Sequence, residues 1–403
     1  MADKSSLQIS MRGLQMPASP IRKLAPLAEA AENRGIKIYK LNIGQPDLPT
    51  PKKALDALKT IDRTTLEYSP SQGYRSLREK LVGYYERYQI KLSADDIIIT
   101  SGGSEAVLFA LHSCLNPGDE IIVPEPAYAN YMAFAVSAGA VIRTIATTID
   151  EGFCLPKVEK FEELINERTK AILICNPNNP TGYLYTQKEM NQIRDLVKKH
   201  NLYLFSDEVY REFIYTGSPY ISSMHLDGIQ QNVVLIDSVS KRYSECGIRI
   251  GALITKNEAI RSTVMKFCQA RLSPPLIGQI VAEASIDGTE AYSREMYEEY
   301  VERRKCLIDG INRIPGCYTP LPMGAFYTVA KLPVDDAEKF CAWCLTDFNY
   351  EGETVMMAPA AGFYTTPGLG RNEVRMAYVL CKEDLKRALF ILSKALEQYN
   401  NGK

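Results

Sequence analysis

Histidine is scarce in this chain. There are three in 403 residues, His112, His200 and His225, and none sits in a metal-like cluster, so a histidine-based metal centre has no ligands to build from and no metal is expected. An excess of either charge is missing too. Lys plus Arg total 47 against 48 Asp plus Glu, which offers no basic field for nucleic acid and no acidic tail. The ten cysteines have no framework spacing, and the one C-x-x-C pair, Cys341 and Cys344, falls in the helix-like stretch DDAEKFCAWCLTDF with no second pair. Buried apolar thiols in a reducing compartment are expected there, not zinc or redox work. Charge-free stretches such as Ala127 to Ile142 are interrupted by Asn130, Ser137 and Gly139 and fall short of the ~18 apolar residues of a spanning helix. The first residues, MADKSSLQISMRGLQMP, lack the apolar run of a signal peptide. A soluble, cytoplasmic protein is expected, with no membrane or nucleic acid partner.

What is present is apolar and regularly punctuated. At 46% hydrophobic, a chain this long exceeds one domain of roughly 100 to 200 residues. Seven short apolar runs, DIIIT, EIIVPE, VIRTIA, AILIC, LYLFSD, VVLID and GALIT, alternate with amphipathic stretches between Pro51 and about Gly288. They read as strands buried on both faces of a mostly parallel α/β sheet sandwiched by helices. Thr186 and Glu189 have the spacing of a capping box, before a helix with Met190, Ile193 and Val197 on one face. Beyond Gly288 a long charged helix, SREMYEEYVERRKCLIDGI, changes the rhythm, with Tyr297, Tyr300, Val301, Leu307, Ile308 and Ile311 able to form one stripe. Residues 48–290 are therefore expected to form a large domain. Residues 291–403 are expected to form a smaller α+β domain.

Chemistry-bearing residues fall at the strand exits. Lys241 lies in SVSKRYSECGIRIG (Ser238 to Gly251), directly after VVLID. An ε-amine there can trap a cofactor aldehyde as a Schiff base, and Ser238 and Arg249 are residue types that hold a phosphate. SGGSE (Ser101 to Glu105) precedes a helix beginning near Ser104 and stopping at Asn116, Pro117 and Gly118. Its glycines let backbone amides approach an anion at the helix N-terminus. Asp207 in SDEVY closes the run LYLF, where a carboxylate is costly to bury without a cationic partner. NPNNPTG spans Asn176 to Gly182.

In this order, SGGSE, NPNNPTG, SDEVY and the lysine segment resemble fold-type I pyridoxal 5'-phosphate aminotransferases of the class I/II group, from about Leu41 to the neighbourhood of Tyr378. The resemblance implies that Gly103, Ser104, Glu105, Ser238 and Arg249 form the phosphate cup, the first three mainly through backbone. It implies that Asp207 pairs with a protonated ring nitrogen, that Tyr210 and Asn179 contact the phenolic oxygen, and that Tyr128 stacks on the ring. Tyr68, in LEYSPSQGYRSLREKL, matches a tyrosine reaching the phosphate from a neighbouring subunit, so a homodimer with composite sites is implied. Arg375 in NEVRMAYV and Gly44 in LNIGQPD match the groups that grip the substrate α-carboxylate, and the resemblance implies that the N-terminal segment 1–47 joins residues 291–403 in the smaller domain.

The implied reaction moves an amino group from an L-amino acid to a 2-oxo acid such as 2-oxoglutarate by a ping-pong mechanism, with Lys241 as acid and base. Aspartate is the leading donor; alanine, aromatic and methionine donors, or a carbon–sulfur β-lyase reaction, share nearly every cofactor residue. Some bacterial aspartate aminotransferases resembling this chain carry a distal-carboxylate lysine where Ser104 stands. Arg271, in CQARLSPPLIGQ, a segment that resembles the family's stretch contributing to the neighbouring subunit's site, is the nearest candidate by position.

Overall fold

The structure is a computed structural model that describes residues 7–402. A short strand β1 (Lys37–Lys40) precedes the seven expected strands: β2 (Ile97–Thr100), β3 (Glu120–Glu125), β4 (Val141–Ala146), β5 (Thr169–Cys175), β6 (Tyr203–Asp207), β7 (Val233–Ser238) and β8 (Gly251–Ile254). These seven form one sheet in the order β2-β8-β7-β6-β5-β3-β4. Only β8 runs against its neighbours; β2 and β7 flank it antiparallel, and every other pair is parallel. Six strands therefore end at the same edge, which is where open α/β sheets bind ligands.

Two-sided burial holds for β2, β3, β7 and β8, which are buried at every position. It does not hold for β4. At the end of the sheet β4 has a neighbour on one side only, and Val141 stays 43% exposed. The helix Gln187–His200 shows how sequence sets an element boundary. Thr186 caps it, Glu189 reaches back to the Thr186 amide at 2.8 Å, and Met190, Ile193 and Val197 turn inward.

The remaining strands are β9 (Tyr327–Lys331), β10 (Glu353–Met356), β11 (Ala358–Pro359) and β12 (Glu373–Ala377). β11, β12 and β9 make an antiparallel sheet, while β10 pairs in parallel with β1 from the N-terminal segment. Two long helices, Thr289–Ile311 and Lys382–Asn401, pack beside them. One apolar cluster runs from the large sheet (Leu173, Phe205, Ile236) into this region (Phe326, Val374, Ile391). Phe213 joins the two, its ring edge-on to Phe326 at 4.9 Å and to Tyr300 at 5.1 Å. Of the charged helix's stripe, Tyr300, Leu307, Ile308 and Ile311 are buried, whereas Tyr297 remains at the surface. Cys341 and Cys344 are buried on the helix Ala337–Thr346. No helix among the described residues is long and apolar enough to cross a membrane, and none of their His, Cys, Asp or Glu groups is placed to hold a metal ion.

Gly251 fixes the binding edge by having no side chain. A Cβ there would lie 2.5 Å from the Gly102 carbonyl carbon and 2.7 Å from the Gly103 nitrogen, both backbone atoms. Gly251→Ala is expected to destabilise the protein by about 1–3 kcal/mol, the cost of overpacking, because β8 and the glycine turn must separate. An unaltered denaturation midpoint would show that the turn has slack.

Candidate active site

At the carboxyl edge of the large sheet, between it and β9 and β12, lies a cavity of about 910 Å³. The glycine turn lines one side. Gly102 caps the helix Gly103–Cys114 with φ at 80°, a conformation that favours glycine. A Cβ on it would fall 2.3 Å from Arg249 Nη2, so the bare backbone is what lets the guanidinium settle against the helix start. Arg249 donates to the Cys246 and Ser101 carbonyls at 2.9 and 3.4 Å and has no acidic partner among the described residues. Ser238 accepts from the Ser240 amide at 3.2 Å, and its Oγ lies 2.9 Å from the Ile250 carbonyl. Gly103, Ser104, Ser238 and Arg249 thus face one space that amides, hydroxyls and a guanidinium make electropositive.

Asp207 ends β6 on the same wall. Its Oδ2 accepts from Tyr131 at 2.5 Å and its Oδ1 from the Val209 amide at 3.3 Å. Burial pushes its carboxyl up to about 6 despite the Tyr131 hydrogen bond, and the charges of Asp237 and Glu208 add to the rise. The carboxylate lacks a cation. Across the cavity, Lys241 Nζ donates to the Gly44 carbonyl at 3.0 Å and sits 3.8 Å from Cys246 Sγ. The Tyr210 hydroxyl accepts from Asn179 Nδ2 at 3.2 Å and lies 3.1 Å from the Tyr327 hydroxyl. Tyr128 stands over this group with its ring edge-on to Tyr131, and burial pushes its phenol up to about 12.

Arg375, on β12, reaches the cavity from the opposite wall. It donates to Asn179 Oδ1 at 3.2 Å and to the Asn42 carbonyl, and it lies between the rings of Tyr327 and Phe363 at 4.7 and 4.9 Å. Only 1% of it is exposed, no carboxylate faces it, and its Nε has no partner. Desolvation lowers its pKa.

Two residues whose segments resemble ones serving a neighbouring subunit's site lie outside the cavity of their own chain. Arg271 does not line the cavity of its own chain: it pairs with Glu105 at 2.9 Å and donates to the Ser71 carbonyl. Glu105 is engaged by that pair and by the Ser101 amide at 2.8 Å, so its side chain closes the turn. Tyr68 is 76% exposed and does not line the cavity either. Sequence reasoning missed Tyr131, Tyr327 and Asn42. Tyr131 carried a faint signal, since in YANY it follows Tyr128 by three residues, just inside the helix Asn130–Ala138. The other two showed none.

Because Asp207 titrates at about 6 when folded against an ordinary 3.8, its burial costs stability increasingly as pH rises between those values. Asp207→Asn in cofactor-free protein is expected to gain up to about 3 kcal/mol at pH 8. The gain should shrink below pH 6 and vanish by about pH 4. Urea denaturation across that range checks it, and a variant less stable than wild type at pH 8 would contradict it.

Comparison with known proteins agrees with this arrangement. The family described as aminotransferase class I and II matches residues 36–390. Aspartate aminotransferase of Pyrococcus horikoshii is 32% identical over 98% of this chain and 99% of its own. The crystal structure of aspartate aminotransferase from Thermotoga maritima superposes with a TM-score of 0.88 at 29% identity, covering 96% of this chain and all of that one. Alanine aminotransferase from Pyrococcus furiosus gives 0.87 at 28% identity, covering 97% and 100%. With a family match over most of its length and the same seven-stranded sheet, the chain belongs to the class I and II aminotransferases, enzymes that use pyridoxal 5'-phosphate.

Proposed function

We propose that this aminotransferase takes a dicarboxylic L-amino acid, aspartate first, as donor and a 2-oxo acid such as 2-oxoglutarate as acceptor, using the residues around Lys241. The observation that carries an amino-acid donor is Arg375, a buried guanidinium with no anion opposite it among the described residues. Such a charge is costly unless a ligand completes it, and an α-carboxylate is the natural bidentate partner.

The residues fit the cofactor on the same grounds. Gly103, Ser104, Ser238 and Arg249 would hold its phosphate, Asp207 its ring nitrogen, Asn179 and Tyr210 its phenolic oxygen, and Tyr128 the face of its ring. When bound, it supplies an aldehyde that receives the amino group and a ring that accepts the electron pair of the broken Cα–H bond. Asp207 as carboxylate keeps a positive charge on the ring nitrogen, and a cation there reverses the burial that now raises its pKa. Lys241 Nζ, held by the Gly44 carbonyl, would serve as the base that takes the substrate's Cα proton and as the acid that gives it back. Arg375 and Asn179 orient the substrate so that this proton faces the lysine. Movement of residues 1–47 and 291–403 against 48–290 would close the cavity and exclude water.

The relatives named for aspartate support that donor, while the alanine enzyme shows that the fold admits others. A homodimer is part of the proposal. Leu66, Tyr68, Leu272 and Ile277 are exposed at 63, 76, 51 and 41%. Ser69 donates to the Pro274 carbonyl and so holds their two loops together. A second copy covering this surface would bury it and receive Tyr68 in its cup.

Mixing holoenzyme with aspartate alone is expected to release one equivalent of 2-oxo acid per site and then stop, the amino group remaining on the enzyme. Continued release of ammonia from a donor carrying a β-sulfur substituent would mark a lyase instead. Arg375→Ala should lower kcat/KM by roughly 10- to 1000-fold, as losing a charge-assisted pair does, with the cofactor spectrum retained. Lys241→Ala and Tyr68→Phe, each impaired, should regain activity when subunits exchange, since one hybrid site then holds both intact residues. Proven exchange without recovery would count against a composite site.

A further inference from the structure

Ser104 has no charge to offer a distal carboxylate and Arg271 is engaged by Glu105, which directs the dicarboxylate reading to the cations that line the cavity itself. Five cations among the described residues line the cavity: Arg22, Lys40, Lys241, Arg249 and Arg375. Lys241 faces the Gly44 carbonyl, Arg249 lies against the glycine turn, and Arg375 awaits the α-carboxylate. Lys40 is paired with Glu32 at 2.8 Å. Arg22 alone remains with its guanidinium unpaired.

Its place is built, not accidental. The Arg22 amide donates to the Ser19 carbonyl at 3.2 Å and its carbonyl accepts from Ala25 at 2.9 Å, so the turn entering the helix Ala25–Asn33 fixes its backbone. Asn42 then ties that turn to the substrate site. Its carbonyl accepts from Arg375 while its Nδ2 donates to the Ile21 carbonyl at 3.4 Å. Arg375 and the residue before Arg22 are thus joined through one buried residue, by its backbone on one side and its side chain on the other. Arg22, Arg375 and Tyr128 all line this one cavity. Two cations converging from different elements suit a ligand with a carboxylate at each end, and a long, mobile arginine can reach the farther one bidentately. Glu29, also on this rim, would disfavour a second anion unless Arg22 outweighs it.

We propose that Arg22 is the specificity-determining residue that binds the distal carboxylate of the donor and of the 2-oxo acid acceptor, an inference that rests on the dicarboxylate reading above. It explains how the chain can dispense with a cation at position 104. It also makes the N-terminal segment part of the substrate pocket, so that a dicarboxylic ligand would draw this segment onto the site.

The test is the first half-reaction of the holoenzyme, followed by the cofactor's absorbance, with aspartate and with alanine. In Arg22→Ala the rate constant per donor concentration should fall roughly 10- to 100-fold more for aspartate than for alanine. Arg22→Lys should recover part of the difference. Arg22→Gln replaces the alanine variant should that fail to load cofactor, and the same ratio is expected. A second readout needs no turnover. Succinate and butyrate differ only in the distal carboxylate, and spectral titration should show the wild-type preference for succinate falling about tenfold or more in the variant. Wild type that uses aspartate while the variant loses both donors equally overturns the role of Arg22 and leaves the dicarboxylate reading standing. Wild type that uses alanine and refuses aspartate overturns both.

Discussion

The site depends on how the end of β7 is anchored. Asp237, 1% exposed, accepts from Arg242 at 2.5 Å, from Arg211 at 3.3 Å and from Tyr85. Burial works to raise its pKa, but the Arg242 and Arg211 guanidinium groups hold it below the ordinary value. Arg242 also donates to the Ser238 carbonyl and rests on the Tyr84 ring at 4.3 Å, and Arg211 continues to Glu208 at 3.0 Å. One carboxylate therefore ties together β7, the turn carrying Lys241, the loop after β6 and the helix Arg75–Glu86. Pairs of this kind add little net stability, yet removing one member strands a buried charge, so the arrangement is held to a single geometry.

Above that anchor the cavity is a set of charges left incomplete. Asp207 lacks a cation and Arg375 lacks an anion, and each has its pKa moved toward the neutral form by burial. The fold bears this cost because the surrounding shells are fixed by other contacts: Tyr131 on Asp207, Asn179 and two aromatic rings on Arg375. Binding of the missing partners converts the cost into affinity, and orientation comes from side chains that are already locked.

Glycine controls the approach of backbone to ligand at two points. At Gly102 the absent side chain leaves room for Arg249, and at Gly44 a Cβ would overlap the Tyr327 hydroxyl, which lies 3.4 Å from the Gly44 carbonyl that accepts from Lys241. Both positions are legible as glycines in the sequence. What each one clears space for involves a residue well over a hundred positions away.

That division runs through the whole molecule. The seven strands, the capped helix after Thr186 and the strand-exit placement of Lys241, Asp207, Asn179 and Ser238 were written locally, because periodicity, caps and turn residues act over a few neighbouring positions. Tertiary structure decided what those rules cannot reach. It reversed β8, left β4 as an edge, gave Arg271 to Glu105 and brought Tyr131 onto Asp207 and Asn42 between Arg375 and the N-terminal turn. These contacts join residues remote in sequence, and their energies depend on burial and on which partner arrives first in space, neither of which leaves a mark on the local pattern of residues.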